Sequence, residues 1–268
     1  MAIVNREQSK KFSALVQSSK EIIPLLPWDK DMEKENFLAP DFTMLEVICF
    51  ASKSCPVGIN IPNYDDIRED EGFKNVMLGN SMPSTATSQT VQFATEEQSA
   101  ILRAETVRSY EVDVACHELL GHGVGRLHYR DENGGCRTYT DPLTKEQYQS
   151  CYEKGETWNS KFGSISASYE ECRADTCAYF LCTLPQVYSL FGFKDDEVDR
   201  LLWVSIMTQL RKGIVGLPLY NPQSKRWGQA HTQGAYVLSM WLYRNQKTDI
   251  IKIEILGDNE DFRIHLNE

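Results

Sequence analysis

The six residues His117-Glu118-Leu119-Leu120-Gly121-His122 restrict what this chain can fold into more than any other stretch. The common metal-binding helix carries H-E-x-x-H, with two histidines one turn apart on one face and the glutamate as general base. Here one extra residue separates the histidines. At 3.6 residues per turn, positions i and i+5 stand about 140° apart, too far to share an ion from a regular α-helix. The segment must therefore be overlong by one residue, a π-type bulge, and such bulges favour functional sites. Gly121 stands where the distortion is needed.

A single histidine on a helix is usually a satisfied core residue. This spacing arises by chance in roughly one chain in a thousand of this length. Two of the five histidines lie in it, so a metal reading outweighs the core reading. Catalytic zinc takes three protein ligands and keeps a fourth position open. Tyr169-Glu170-Glu171-Cys172-Arg173-Ala174-Asp175 lies in a helical pattern about fifty residues on. Glu171 and Asp175 are i,i+4 and share a face. One of them can coordinate while the other takes the free N–H of a ligating histidine.

Composition narrows the alternatives. The 268 residues are 41% hydrophobic and 25% charged, those of an ordinary folded domain. No apolar run approaches the roughly 20 residues of a membrane helix, and no apolar leader is visible at the start. Net charge is −10 without a basic run, which argues against nucleic-acid and anionic-membrane partners. The eight cysteines include no C-x-x-C pair. Reduced, mostly buried thiols in a cytoplasmic protein are expected, with a disulfide framework as the weaker alternative.

Along the chain, apolar spacing predicts helices over 5–26, 96–123, 164–184, 195–215 and 224–245, separated by Pro or Gly. Residues 53–83 are punctuated by Pro and Gly, with a short strand at Val57–Ile61 and a turn at Asn63-Tyr64-Asp65. The tail alternates Ile251, Ile253, Ile255 and Phe262, Ile264, Leu266 about Gly257-Asp258-Asn259, a hairpin that needs something to pack on. The fold class is mostly α with a small β component.

The H-E-L-L-G-H and E-E-C-R-A-D motifs together resemble the dipeptidyl peptidase III family, the M49 zinc metallopeptidases. Further segments resemble it in the same order: Gly58-Ile59-Asn60-Ile61-Pro62-Asn63-Tyr64-Asp65-Asp66, Glu71 to Val76, Gly155-Glu156-Thr157-Trp158 and Gln229-Ala230-His231. The resemblance covers essentially the whole chain. It implies one Zn2+ held by His117, His122 and Glu171, with Glu118 as general base. Glu170 and Asp175 would orient the histidines, and His231 would stabilise the oxyanion or leaving group. Gly58, Asn60, Asn63 and Gln229 would contact substrate, the strand at Gly58–Ile61 pairing with an extended peptide. The implied activity is release of dipeptides from the N-termini of short peptides.

Family members are two-lobed and longer. By resemblance, residues 1–43 begin the helical upper lobe, 44–88 cross into the lower lobe, and 89–268 form the helical zinc-binding lobe ending in the hairpin. The lower-lobe groups that grip a substrate's free amine have no counterpart here. Ala235 stands where the family has an arginine near the substrate. The family's E-T-G-E acceptor for a Kelch-domain adaptor is missing from the loop Leu143-Thr144-Lys145-Glu146, so that partner is not expected. Two function classes follow: a zinc exopeptidase, or a zinc-binding chain without turnover that acts by interaction only.

Overall fold

The computed structural model describes residues 1–34, 37–52, 55–62, 67, 71–81, 91–141, 144–246, 250–257 and 261–266. Asn63, the turn at Asn63-Tyr64-Asp65, and Leu143 of the loop discussed above lie outside them. The chain opens with a strand, β1 (Ala2–Val4), and the helix α1 (Arg6–Ile22). Asn5 caps α1 by accepting a hydrogen bond from the Gln8 amide, and Pro24 follows in a tight turn that ends it. Phe12, Leu15 and Ile22 are the buried stripe of α1.

Three more strands follow: β2 (Asp41–Val47), β3 (Gly58–Ile61) and β4 (Lys74–Leu78). The sheet order is β1-β2-β4-β3, so β3 lies at an edge. β2 and β4 run parallel, while β3 pairs antiparallel with β4 and sets Asn60 opposite Asn75. Phe42 and Met44 alternate inward from β2, and Phe42 stacks on Phe12 with ring centroids 4.6 Å apart. Residue 43, where the sequence suggests a lobe boundary, falls inside β2.

The long helix α2 (Glu96–Cys116) starts at a capping box between Thr95 and Gln98. It runs directly into a single π turn, His117–Gly121. A loop region carries the small hairpin β5 (Thr138–Thr140) and β6 (Gln147–Gln149). Then come α3 (Trp158–Phe162), α4 (Ser166–Leu181), α5 (Pro185–Leu190) and α6 (Asp195–Val215). A two-residue pair, β7 (Tyr220–Asn221) with β8 (Arg226–Trp227), precedes α7 (Ala230–Asn245). The chain finishes in the hairpin β9 (Ile251–Leu256) and β10 (Asp261–Leu266).

Helices α2, α4, α6 and α7 pack on one another and carry the π turn between them and the sheet. One apolar cluster joins α1, the sheet, the π turn, α4 and α5 through Phe12, Met77, Leu119, Leu120, Leu181 and Tyr188. A second joins α2, α6 and the terminal hairpin through Leu102, Met207, Leu210, Ile251 and Ile264. The hairpin thus finds its support within the chain, reinforced by the Ile264 amide donating to the Phe93 carbonyl.

One expectation is corrected. Cys136 and Cys151 form a disulfide across the base of the β5–β6 hairpin. The hairpin folds two cysteines 15 residues apart to a Cα separation of 5.5 Å, inside the range a bridge can span. The other six are free, but only Cys116, Cys177 and Cys182 are buried, and Cys49 is exposed. Cysteine usage therefore no longer argues for a reducing compartment. Among the described residues, no helix is long and apolar enough to cross a membrane.

Candidate metal centre

The π turn does what the spacing demands. The His122 amide donates to the carbonyl of His117, five residues back, so the two imidazoles come to one side with ring centroids 4.7 Å apart. Both are buried, as is Glu118. Gly121 has a second role that spacing does not reveal. A Cβ there would stand 2.7 Å from the Ala174 carbonyl oxygen, so glycine lets the π turn lie against α4.

That close approach delivers the acidic residues of α4. The Asp175 carboxylate accepts from Nδ1 of His117 at 2.8 Å, and Glu170 accepts from Nδ1 of His122 at 2.9 Å. With Nδ1 of each ring donating to a carboxylate, each Nε2 presents its lone pair. Those lone pairs face one atom. Oε2 of Glu171 lies 3.2 Å from His117 Nε2 and 3.6 Å from His122 Nε2. His231 Nδ1 approaches the same oxygen at 3.1 Å. Glu171 Oε2 is buried and accepts no well-directed hydrogen bond. Electron pairs from a carboxylate and two imidazoles converge on one point with a third ring beside them, which suits a cation there, and imidazole with carboxylate is a donor set that suits zinc.

His117, Glu171 and His231 have ligand atoms within 4.8 Å of one another, which makes His231 a rival to His122 as third ligand. Orientation decides between them. The His122 side chain is 7% exposed and its other nitrogen is fixed by Glu170, while that of His231 is 57% exposed. A ligating histidine is almost always held at its second nitrogen by such a partner. His122 is thus held as a ligating histidine is, while His231 stands beside it on the exposed side.

Charge is arranged to match. Burial alone would raise the carboxyls of Glu170 and Glu171. It is overcome by Arg173 and His122 at Glu170, and by His117 and His231 at Glu171, so both sit below the usual range. Burial likewise opposes ionisation of Asp175, and the hydrogen bond from His117 outweighs it. Burial disfavours charge on both motif histidines and lowers His122. Asp175 and Glu171 nevertheless raise His117. The field that draws a proton to His117 is the field that would draw a metal ion. Glu118, not part of the ligand set, is pushed up to about 7 by burial.

The structure also places the remaining expected residues. Gly58 lies directly under the Glu118 side chain: a Cβ on it would be 2.3 Å from Oε1. Asn60 is buried and faces inward, its amide donating to the Glu118 carbonyl at 3.0 Å and to Asn75 at 2.6 Å. Gln229 caps α7 by accepting from the Thr232 amide, and it lines the central cavity with His231. That cavity, about 410 Å³, is lined by Gly58, Tyr110, His117, Glu118, Asp175, Lys212 and His231 among others. Sequence reasoning missed Arg173, which holds Glu170 through two nitrogens at 2.6 and 2.8 Å and donates to the Val124 carbonyl. The Glu170–Arg173 spacing of i,i+3 was its available signal. It also missed Asn75 and Lys212, which no local pattern marks.

Comparison with known proteins decides the lineage. The sequence profile of Peptidase family M49 matches residues 1–268. The chain belongs to peptidase family M49. M49 relatives include dipeptidyl peptidase 3 of Nematostella vectensis, 43% identical over 242 residues, covering 89% of this chain and 33% of the relative. Dipeptidyl peptidase 3 of Rattus norvegicus is 40% identical over 275 residues, covering 100% and 37%. The chain thus spans about a third of the length of these M49 relatives. A solved structure of DPP III from Caldithrix abyssi shares the fold with TM-score 0.64 at 16% identity, covering 99% of this chain and 44% of that one.

Proposed function

We propose that this chain is the zinc-bearing catalytic part of an exopeptidase that releases dipeptides from the N-termini of short peptides. The observation that carries the reading is the buried Glu171 oxygen ringed by three imidazole nitrogens, with the Glu118 carboxyl in the adjoining cavity. His117, His122 and Glu171 hold the ion; Asp175 and Glu170 fix the two rings. When held there, zinc would supply Lewis-acid chemistry, making water more acidic and a carbonyl more electrophilic. Glu118 takes a proton from the attacking water and returns it to the leaving amine. His231, exposed at the first turn of α7, donates to the developing oxyanion or to the leaving group. The outer edge of β3 accepts the extended peptide by strand addition. Asn60 serves this scheme from behind, fixing the Glu118 backbone. Residues 1–43 and 89–268 then belong to the metal-bearing lobe, with 44–88 crossing toward the second lobe of the longer relatives.

A second reading is a zinc-binding chain without turnover that acts by interaction only. Glu118→Gln separates the two. It is nearly isosteric, removes only the base and leaves the ligand set intact. On a dipeptidyl-naphthylamide the metal-loaded chain should turn over at least about 10²-fold faster than the variant, with equal zinc content. Equal rates at equal zinc establish the second reading.

A further inference from the structure

Among the residues bounding the central cavity, three are carboxylic acids, Asp113, Glu118 and Asp175, and one is a lysine, Lys212. Lys212 sits half-buried in the last turn of α6. Its ammonium lies 4.5 Å from the centroid of the Tyr110 ring. Two of the three acids are engaged elsewhere. Asp113 accepts from Ser205 at 2.7 Å and from the Cys182 thiol at 3.0 Å; Asp175 accepts from His117. Among the described residues none of the three acids comes within ion-pair distance of Lys212; burial disfavours its charge, and the field of Tyr110, Asp175 and Asp113 outweighs that. A lysine ordinarily sends its charged end into bulk water. This one ends on an aromatic face at the wall of the cavity that also holds Glu118 and His231.

We propose that Lys212 is a specificity residue whose ammonium receives a carboxylate of the peptide lying in this cavity. The inference rests on the peptidase reading above and adds a substrate class to it: peptides with an acidic side chain or a free C-terminal carboxylate within reach of the site. Tyr110 offers the ammonium its ring face and the pull of its hydroxyl; neither carries the full opposite charge that a carboxylate brings with its hydrogen bond. The long-range field works the other way. The chain carries a net charge of −10 and repels acidic peptides before contact. At physiological salt that repulsion is screened beyond roughly 8 Å. A preference for acidic peptides would therefore report a local cation.

The test is calorimetric titration of the zinc-loaded 268-residue chain with three short peptides. One is neutral with an amidated C-terminus, the second neutral with a free C-terminus, and the third acidic in its side chain and amidated. At least one carboxylate-bearing peptide should bind about tenfold or more tightly than the neutral amide. Which of the two does so identifies the group recognised. The preference should persist in Lys212→Arg and vanish in Lys212→Met. Melting curves check that both variants fold, with Lys212→Gln as substitute if the methionine variant does not. Equal affinity for all three peptides, or a preference that survives loss of the ammonium, overturns the assignment and leaves the peptidase reading standing. Failure of every peptide to bind overturns both.

Discussion

Substituting Gly58 by alanine tests the geometry of the base with one methyl group. The backbone at Gly58 is not in the left-handed region, so alanine introduces no φ strain there. Its Cβ would stand 2.3 Å from Oε1 of Glu118, 2.8 Å from Cδ and 2.9 Å from Cγ. Ordinary contact begins at 3.4 Å, so the carboxyl group must retreat by about 1 Å, and its stem with it. A misplacement of about 1 Å can reduce turnover by about 10²-fold. The overpacking itself costs about 1–3 kcal/mol of stability. Glu118 is not in the ligand set, so bound zinc should not change. The assay is hydrolysis of a dipeptidyl-naphthylamide per bound zinc, with the Glu118→Gln variant as blank and a melting curve as control. A Gly58→Ala rate within about threefold of the parent would refute the reasoning, since the base would then not depend on where Gly58 lets it rest.

Removing the ion should destabilise the fold. At a zinc concentration 100 times Kd the bound form gains about 2.7 kcal/mol, so a chelator should lower the melting temperature and zinc should restore it. His122→Ala should abolish stoichiometric binding; retention of one zinc per chain would take His122 out of the ligand set. Asp175→Asn keeps the shape but removes the charge that orients His117, and zinc affinity should fall about 10- to 100-fold. Competition against a chromogenic chelator measures it, and parental affinity would end that role for Asp175. Finally, denatured protein should titrate with six free thiols before reduction and eight after, as the bridge and the free cysteines require. Eight before reduction would disprove the bridge.

The site was legible in the sequence where chemistry forces local geometry. The i,i+5 histidines require an overlong turn, and one is there at His117–Gly121. The long helices were legible from apolar spacing, and α6 matches its expected span of 195–215. The sheet was not. β1 has three residues, too few to display alternation, and the parallel pairing of β2 with β4 joins segments separated by all of β3. The first helical expectation, over 5–26, overran because Pro24 continues the chain in a tight turn after Ile22. The last expected helix began too early, since Arg226 and Trp227 are spent in β8 before Gln229 caps α7. The Cys136–Cys151 bridge and the placing of Lys212 beside Glu118 depend on tertiary contacts for which no local pattern exists.

The site's parts lie far apart along the chain: β3 near residue 60, the π turn near 120, α4 near 171 and His231 last. During synthesis, at about 5–20 residues per second, they emerge in that order. The base and two imidazoles are made first, but Glu171 follows about fifty residues later and His231 about sixty after that. Between those moments the nascent chain holds an incomplete ligand set, and after Glu171 it holds a full one beside a cavity still lacking the wall supplied by α6 and α7. On the proposed reading, the metal ligands would be complete in the chain before the walls of the peptide cavity. The order of translation would thus complete them before the chain can enclose a substrate.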